Sequence, residues 1–325
     1  MKMLKSKKLA TIASLALGLA FASVSHSAVY SPNVKATSTY AKTKYPILFV
    51  HGMFGFDRLG GDTFGMDYFY QVLPDLARNG ATTYAAQVSP LESTEIRGEQ
   101  LLSQVEEVLA ITGQSKLNLI GHSHGGPTSR YIEIVKPQYV ASLTGVGGTF
   151  RGSKVADLVL SNDASTALVS AISDYLIGPV ITLASSNPSL PISTERSLQS
   201  ISVAGSTTFN TTYPTTALAD TCTGSGATSN NGVYYYSWTG TSQLTNVLDL
   251  LDVGASTLAP LAYGSLDNDG LVPRCSTHFG KVIRDNYDLT HLDEVNLVLG
   301  MRGLFAPDPV TLYRQHANRL KLQGL

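Results

Sequence analysis

The sequence predicts an α/β fold, with a mostly parallel central sheet and helices on both faces. Three observations carry this expectation. Strand-like apolar runs alternate with helix-like patterns from residue 45 to residue 146, as in a doubly wound sheet. Residues 45–50 and 117–120 are nearly continuous apolar runs, which strands covered on both faces require. Each run ends in a glycine-bearing turn.

Composition sets the limits. The chain has 325 residues, of which 43% are hydrophobic and only 14% charged. An ample core is available, and much of the surface must be neutral Ser, Thr, Asn and Gly. The length suits one large domain or two small ones. A net charge of -1 suggests no nucleic-acid or other polyanion partner. Residues 1–27 read as a secretory signal peptide. Lys2, Lys5, Lys7 and Lys8 precede an apolar run over 9–21, too short to span a bilayer. Ser25 and Ser27 fit a small-residue cleavage site, and removal takes the formal charge from -1 to -5. Residues 28–325 then form the mature domain. Its two cysteines, Cys222 and Cys275, in an exported chain most simply form one disulfide; two buried free thiols are the other reading.

Residues 28–43 are Ser/Thr-rich without periodicity and read as an extended arm. The strand at 45–50 leads into His51-Gly52-Met53-Phe54-Gly55, a turn that can aim backbone N–H groups outward. Residues 68–79 look helical and stop at Gly80, and 83–88 read as the next strand. Residues 93–109 form an amphipathic helix with Leu101, Val105, Val108 and Leu109 on one face, Ser93 as cap and Gly113 as stop. The strand at 117 follows, and residues 140–146 make another. From 153 to 205 there is no convincing strand. Residues 156–160 and 166–183 look helical, and the second run is strongly apolar. An insertion placed there suits a helical lid or cap. Residues 206–232 read as loop, 233–238 as a strand, 281–284 as a short strand or turn edge, and 310–322 as a terminal helix opened by Pro309.

Gly121-His122-Ser123-His124-Gly125 is a G-x-S-x-G pentapeptide after a strand and before a helix-compatible run. This is the nucleophile elbow of α/β-hydrolases. The glycines permit a turn too tight for side chains, which lifts the Ser123 hydroxyl clear of the sheet. The helix that follows points free N–H groups at the site. A serine hydroxyl needs a histidine to take its proton and a carboxylate to orient that histidine. Downstream, His291 lies in a polar late loop, His278 lies close to Cys275, and His316 lies in the terminal helical pattern. His291 is favoured, with His278 and His316 as alternatives. The acid should precede it. Asp269 sits at a glycine turn beside Asp267, with Asp249 and Asp252 as further options. The backbone N–H of Met53, after the first strand, suits an oxyanion hole.

A family resemblance is carried by Tyr45-Pro46 through Met53, Ile96-Arg97-Gly98-Glu99-Gln100-Leu101-Leu102, and Asn118 through Pro127. Tyr235-Tyr236-Ser237-Trp238, Asn268 through Val272, Ile283 through Tyr287, His291 through Asn296, and Tyr313 through Lys321 continue the match. In these blocks the chain resembles the secreted, foldase-dependent triacylglycerol lipases of Gram-negative bacteria, the Pseudomonas/Burkholderia type. Residues 154–232 match only loosely. The resemblance implies an α/β-hydrolase fold and a triad of Ser123, Asp269 and His291. It implies an oxyanion hole from the N–H groups of Met53 and His124, and a Cys222–Cys275 disulfide. It also implies one structural Ca2+ held by Asp249 and Asp293 and by the main-chain oxygens of Leu297 and Met301, where the family often has Gln and Leu. A hard cation that prefers oxygen ligands would there fix the loop bearing His291.

The expected activity is ester hydrolysis on triacylglycerol at an oil–water interface, by a monomer secreted through the periplasm. The resemblance adds a periplasmic, membrane-anchored lipase-specific foldase as partner. A carboxylesterase acting on soluble short-chain esters shares the triad and differs in acyl-chain preference. A non-catalytic binding protein on the same fold is opposed by the intact Ser, Asp and His.

Overall fold

A computed structural model describes residues 29–60, 65–161, 190–219, 221–222 and 226–325. The signal segment 1–27 and the apolar run 166–183 lie outside the described residues. Nine strands are described: β1 Ile47–Val50, β2 Arg58–Leu59, β3 Met66–Asp67, β4 Thr83–Ala86, β5 Leu117–His122, β6 Val140–Val146, β7 Ser229–Asn230, β8 Val233–Gly240 and β9 Lys281–Tyr287. The described helices are α1 Val72–Arg78, α2 Thr94–Thr112, α3 Gly125–Val135, α4 Lys154–Leu160, α5 Thr194–Ile201, α6 Val203–Thr212, α7 Leu250–Tyr263 and α8 Pro309–Leu322.

The main sheet runs β4-β1-β5-β6-β8, and β9 pairs with β8 beyond it. All of these pairings are parallel; only short β7 joins antiparallel. Successive side chains of a strand face opposite sides, and β1 shows what that does here. Leu48 and Val50 pack with Leu101, Val105 and Val108 of α2 and Ile132 of α3. Ile47 and Phe49 pack with Val72, Leu73 and Leu76 of α1 and with Tyr313 and Ala317 of α8. Two cores cover both faces of the sheet, and in open parallel sheets the crevice for chemistry lies at the carboxyl ends of the strands.

Local signals set the helix ends. Ser93 caps α2 by accepting from the Ile96 N–H, and Gly113 closes it at φ 64°. Asp308 caps α8 through the Thr311 N–H at 3.2 Å, with Pro309 in the first turn. Several expectations are corrected. The first helix begins at Val72 rather than 68. The stretch read as loop after 206 is helical to Thr212, because Ser202 caps α6 through the Gly205 N–H at 2.9 Å. β9 is a full strand reaching Tyr287, and α7 occupies residues that carry no helical expectation. The arm at 28–43 joins the edge of the sheet, where Tyr30 and Ala85 exchange backbone hydrogen bonds of 3.0 and 2.8 Å.

Cys222 and Cys275 form the disulfide, with Cα atoms 5.0 Å apart and 53 positions between them in sequence. A loop of this length is worth about 4 kcal/mol in the chain-entropy account. Replacing both cysteines by alanine is therefore expected to lower unfolding free energy by about that amount in urea titration. An unchanged midpoint would remove the disulfide from the stability account. Among the described residues no helix is long and apolar enough to cross a membrane.

Candidate active site

β5 delivers the elbow. Ser123 sits at φ 55°, a left-handed conformation that side chains rarely adopt and that marks functional turns. The flanking glycines are sterically required. A Cβ on Gly121 would strike the Gly125 carbonyl, and one on Gly125 would strike the Val50 carbonyl. The Ser123 N–H is held by the Val146 carbonyl at 3.0 Å, so β6 braces the turn.

Asp269 and His291 meet directly. His291 Nδ1 lies 2.7 Å from Asp269 Oδ2. The other carboxylate oxygen accepts from the Leu271 and Val272 N–H groups at 3.0 and 2.7 Å, and the His291 N–H donates to the Asp269 carbonyl at 2.8 Å. Both side chains are buried. The acid thus has one oxygen fixed by backbone and one presented to the imidazole, as an orienting carboxylate needs. Gly270, at φ 102°, makes that turn possible. The start of the 153–205 segment and the end of α7 brace it further: Ser153 Oγ and Tyr263 OH both donate to the Leu271 carbonyl.

The two N–H groups expected of an oxyanion hole are oriented through their peptide partners. A trans peptide points its N–H opposite to its C=O. The Gly52 carbonyl is held by His51 Nδ1 at 2.8 Å, by the Gly55 N–H at 3.2 Å and by the Arg97 guanidinium. The Met53 N–H therefore points away from that cluster. The Ser123 carbonyl accepts from Gly126 and Thr149 N–H groups at 3.0 and 3.3 Å, which turns the His124 N–H the other way. Among the described residues neither of these two N–H groups donates a hydrogen bond. His51 stays neutral: burial, then the nearby Arg97 charge, push its pKa down to about 3.

A buried polar chain links the parts. The Gly52 N–H donates to the Tyr68 hydroxyl at 3.2 Å, which in turn donates to His122 Nδ1 at 2.7 Å. His122 Nε2 then donates to the His291 carbonyl at 2.9 Å. Burial, then the nearby His291, hold the His122 pKa well below the usual histidine range, so it serves as a neutral spacer. Glu294 completes the surroundings. Its Oε1 accepts from Thr239 Oγ1 and the Gly240 N–H at 2.9 and 2.6 Å, and burial followed by the Asp269 charge raises its pKa well above the carboxylate range. Of these residues, Arg97, His122 and Glu294 lie inside the sequence blocks named above without a role. A lone arginine on the apolar face of a helix was the available signal.

His278 and His316 are placed elsewhere. His278 Nε2 lies 2.9 Å from Asp285, and His316 packs inside α8 with Nε2 2.9 Å from Thr144 Oγ1. Asp249 and Asp293 come together at a separate buried site, joined by Asp252, with donor oxygens all within 4.8 Å of one another. Asp252 thus belongs with the cation candidates rather than with the triad. The Leu297 carbonyl accepts from the Leu299 N–H at 2.8 Å, and the Met301 N–H donates to the Val298 carbonyl. Both residues lie in the loop that follows Asp293.

Fold and site together define an α/β hydrolase, and residues 45–168 match the family described as the alpha/beta hydrolase fold. The chain is 51% identical over 290 residues to a triacylglycerol lipase of Vibrio cholerae, covering 88% of this chain and 90% of that one. It is 41% identical over 329 residues to a triacylglycerol lipase of Burkholderia plantarii, covering 91% of each. It is 37% identical over 299 residues to that of Pseudomonas fragi, covering 87% of this chain and 98% of the relative. The chain belongs to this triacylglycerol lipase family. A crystal structure of a Bacillus licheniformis lipase in mature form shares the fold, with TM-score 0.56 at 18% identity over 79% of this chain and 88% of that one.

Proposed function

We propose that this protein hydrolyses the ester bonds of triacylglycerols through an acyl-enzyme on Ser123. The observation that carries the reading is the buried Asp269–His291 hydrogen bond at 2.7 Å, tied by the His122 ring to the strained elbow that bears Ser123. His291 takes the Ser123 proton as the hydroxyl attacks the ester carbonyl. The Met53 and His124 N–H groups stabilise the oxyanion, and His291 returns the proton to the leaving alcohol. Water then repeats the steps on the acyl-enzyme. Hydrolysis of emulsified triolein against soluble p-nitrophenyl acetate tests the substrate class. Activity confined to the soluble ester would make this a short-chain carboxylesterase.

The residue pattern at 1–27 and 153–205, and for the foldase the family resemblance, support further proposals about the rest of the chain. Residues 1–27 direct export and are removed, and 28–325 act as one catalytic domain with a lid over 153–205. The protein is secreted through the periplasm as a monomer after folding with a membrane-anchored foldase.

The acidic cluster is proposed to hold one calcium ion. Its donors are all oxygens, Asp252 Oδ1 is a buried oxygen without a hydrogen-bond partner, and hard cations favour such sets. Asp249, Asp252 and Asp293 would hold the ion, with the main-chain oxygens of Leu297 and Met301 as the further ligands the resemblance implies. The bound ion supplies positive charge that fixes the His291 loop. Asp293 also accepts from Thr245 Oγ1 at 2.6 Å and the Thr290 N–H at 3.2 Å, so it ties that loop to the segment before α7.

A pH dependence follows. Burial, then the Asp252 and Asp249 charges, push Asp293 up to about 6. Its folded pKa exceeds the unfolded value, so the metal-free fold loses stability as pH rises between about 4 and 6. Calcium pairs with the ionised form and offsets that loss. The melting temperature with calcium is therefore expected to exceed that with chelator by several degrees at pH 7.5 and by little at pH 4.5. Equal values at pH 7.5 would contradict the ion.

A further inference from the structure

We propose that Leu304 and Phe305 form a rigid apolar tip that inserts into the neutral lipid surface on which this enzyme works. The proposal rests on the triacylglycerol reading above and names the surface contact that reading lacks. The two residues are 97% and 95% exposed, nearly as bare as free side chains. They occupy the two central positions of a turn closed by the Ala306 N–H on the Gly303 carbonyl at 3.1 Å. Such positions favour Gly, Pro, Asn, Asp and Ser, each for a backbone reason. A Leu-Phe pair offers the turn none of those, and its exposure shows that the pair does not serve the core. A local rule broken without internal compensation points to a use outside the fold.

The turn is anchored to the site. The Gly303 N–H donates to Thr245 Oγ1 at 3.2 Å, and that hydroxyl donates to Asp293 Oδ2 at 2.6 Å. The same carboxylate oxygen accepts from the Thr290 N–H, next to His291. Three hydrogen bonds therefore join the tip to the histidine loop, and Asp308 caps α8 just beyond it. Exposed Val247 and Leu248 lie on the turn that follows Thr245, and exposed Leu299 lies in the loop after Asp293. Residues 242–248, 297–301 and 303–307 contain no charged side chain, and the one arginine between them, Arg302, is paired with Asp308 at 3.6 Å.

That neutrality selects the occupant. An anionic lipid surface would call for lysine or arginine, and a stable protein interface needs about 800 Å² from each partner, more than this narrow tip offers. A neutral ester-lipid surface needs only apolar insertion. Each fully buried Leu or Phe contributes about 1.5–3 kcal/mol, or on the order of tenfold to a hundredfold in partition.

The test compares the full mature protein with Leu304→Ser/Phe305→Ser. Adsorption to triolein droplets, read by depletion from the aqueous phase, is expected to weaken at least about tenfold, with triolein hydrolysis falling in parallel. Hydrolysis of soluble p-nitrophenyl acetate and the melting temperature are expected to stay unchanged, because so exposed a pair has no packing to lose. Phe305→Trp is expected to keep adsorption and to show a blue shift of emission on droplets. Equal adsorption of both proteins would overturn the proposal. A matching loss on the soluble ester, or a wild-type dimer that the double variant converts to monomer, would also overturn it. A wild type that adsorbs to triolein without hydrolysing it would instead contradict the substrate reading.

Discussion

Ser123→Ala is expected to lower kcat on emulsified triolein by about 10⁴- to 10⁶-fold, with an unchanged melting temperature. The size follows from removing the nucleophile of a coupled unit, where the remaining residues retain only oxyanion stabilisation and binding. Stability is spared because alanine loses one hydroxyl and the backbone contact that braces the turn, Ser123 N–H to Val146, is kept. His291→Ala should cost about as much, and the double variant no more than either single one. Steady-state rates of purified protein check this. Additive losses would mean that the two residues do not act as one unit.

The second large effect is expected at Arg97. Its guanidinium is fully buried. It donates to the carbonyls of Ser89, His51 and Gly52 and to Thr128 Oγ1. It thereby holds the turn that carries the Met53 N–H proposed for the oxyanion hole. Arg97→Ala strips donors from three buried carbonyls and a hydroxyl, and is expected to cost about 3–5 kcal/mol of unfolding free energy. Arg97→Lys keeps the charge but cannot reproduce the planar fork. It is expected to fold and to lose about 10²- to 10³-fold in kcat, the size of a lost oxyanion donor. Urea unfolding and kinetics on the soluble ester separate the two effects. A lysine variant with wild-type kcat would relieve Arg97 of any positioning role.

Much of this was legible from local pattern. The elbow could be read because its glycines answer to sterics within five residues, and the structure shows the two carbonyls that require them. Ser93, Gly113 and Pro309 marked helix ends for equally local reasons. The choice of His291 over His278 and His316 is weaker. A polar late loop favours it and the family resemblance implies it, but the meeting with Asp269 across 22 positions of chain is encoded by no local signal. Tyr68, His122 and Glu294 escaped notice because each is defined by partners brought together only by the sheet. In sequence Asp252 is as good a candidate for the catalytic acid as its neighbours, since one aspartate looks like another until its surroundings are known. The Thr-rich composition of α6 reads as loop, whereas the Ser202 cap and burial of Phe209 hold it helical.

The most direct test of the account is the site of covalent labelling by a biotinylated fluorophosphonate, mapped by peptide mass spectrometry. The account predicts a single adduct on Ser123, absent in Ser123→Ala and strongly slowed in His291→Ala. An adduct on another serine, or none in a protein that still hydrolyses triolein, would contradict it.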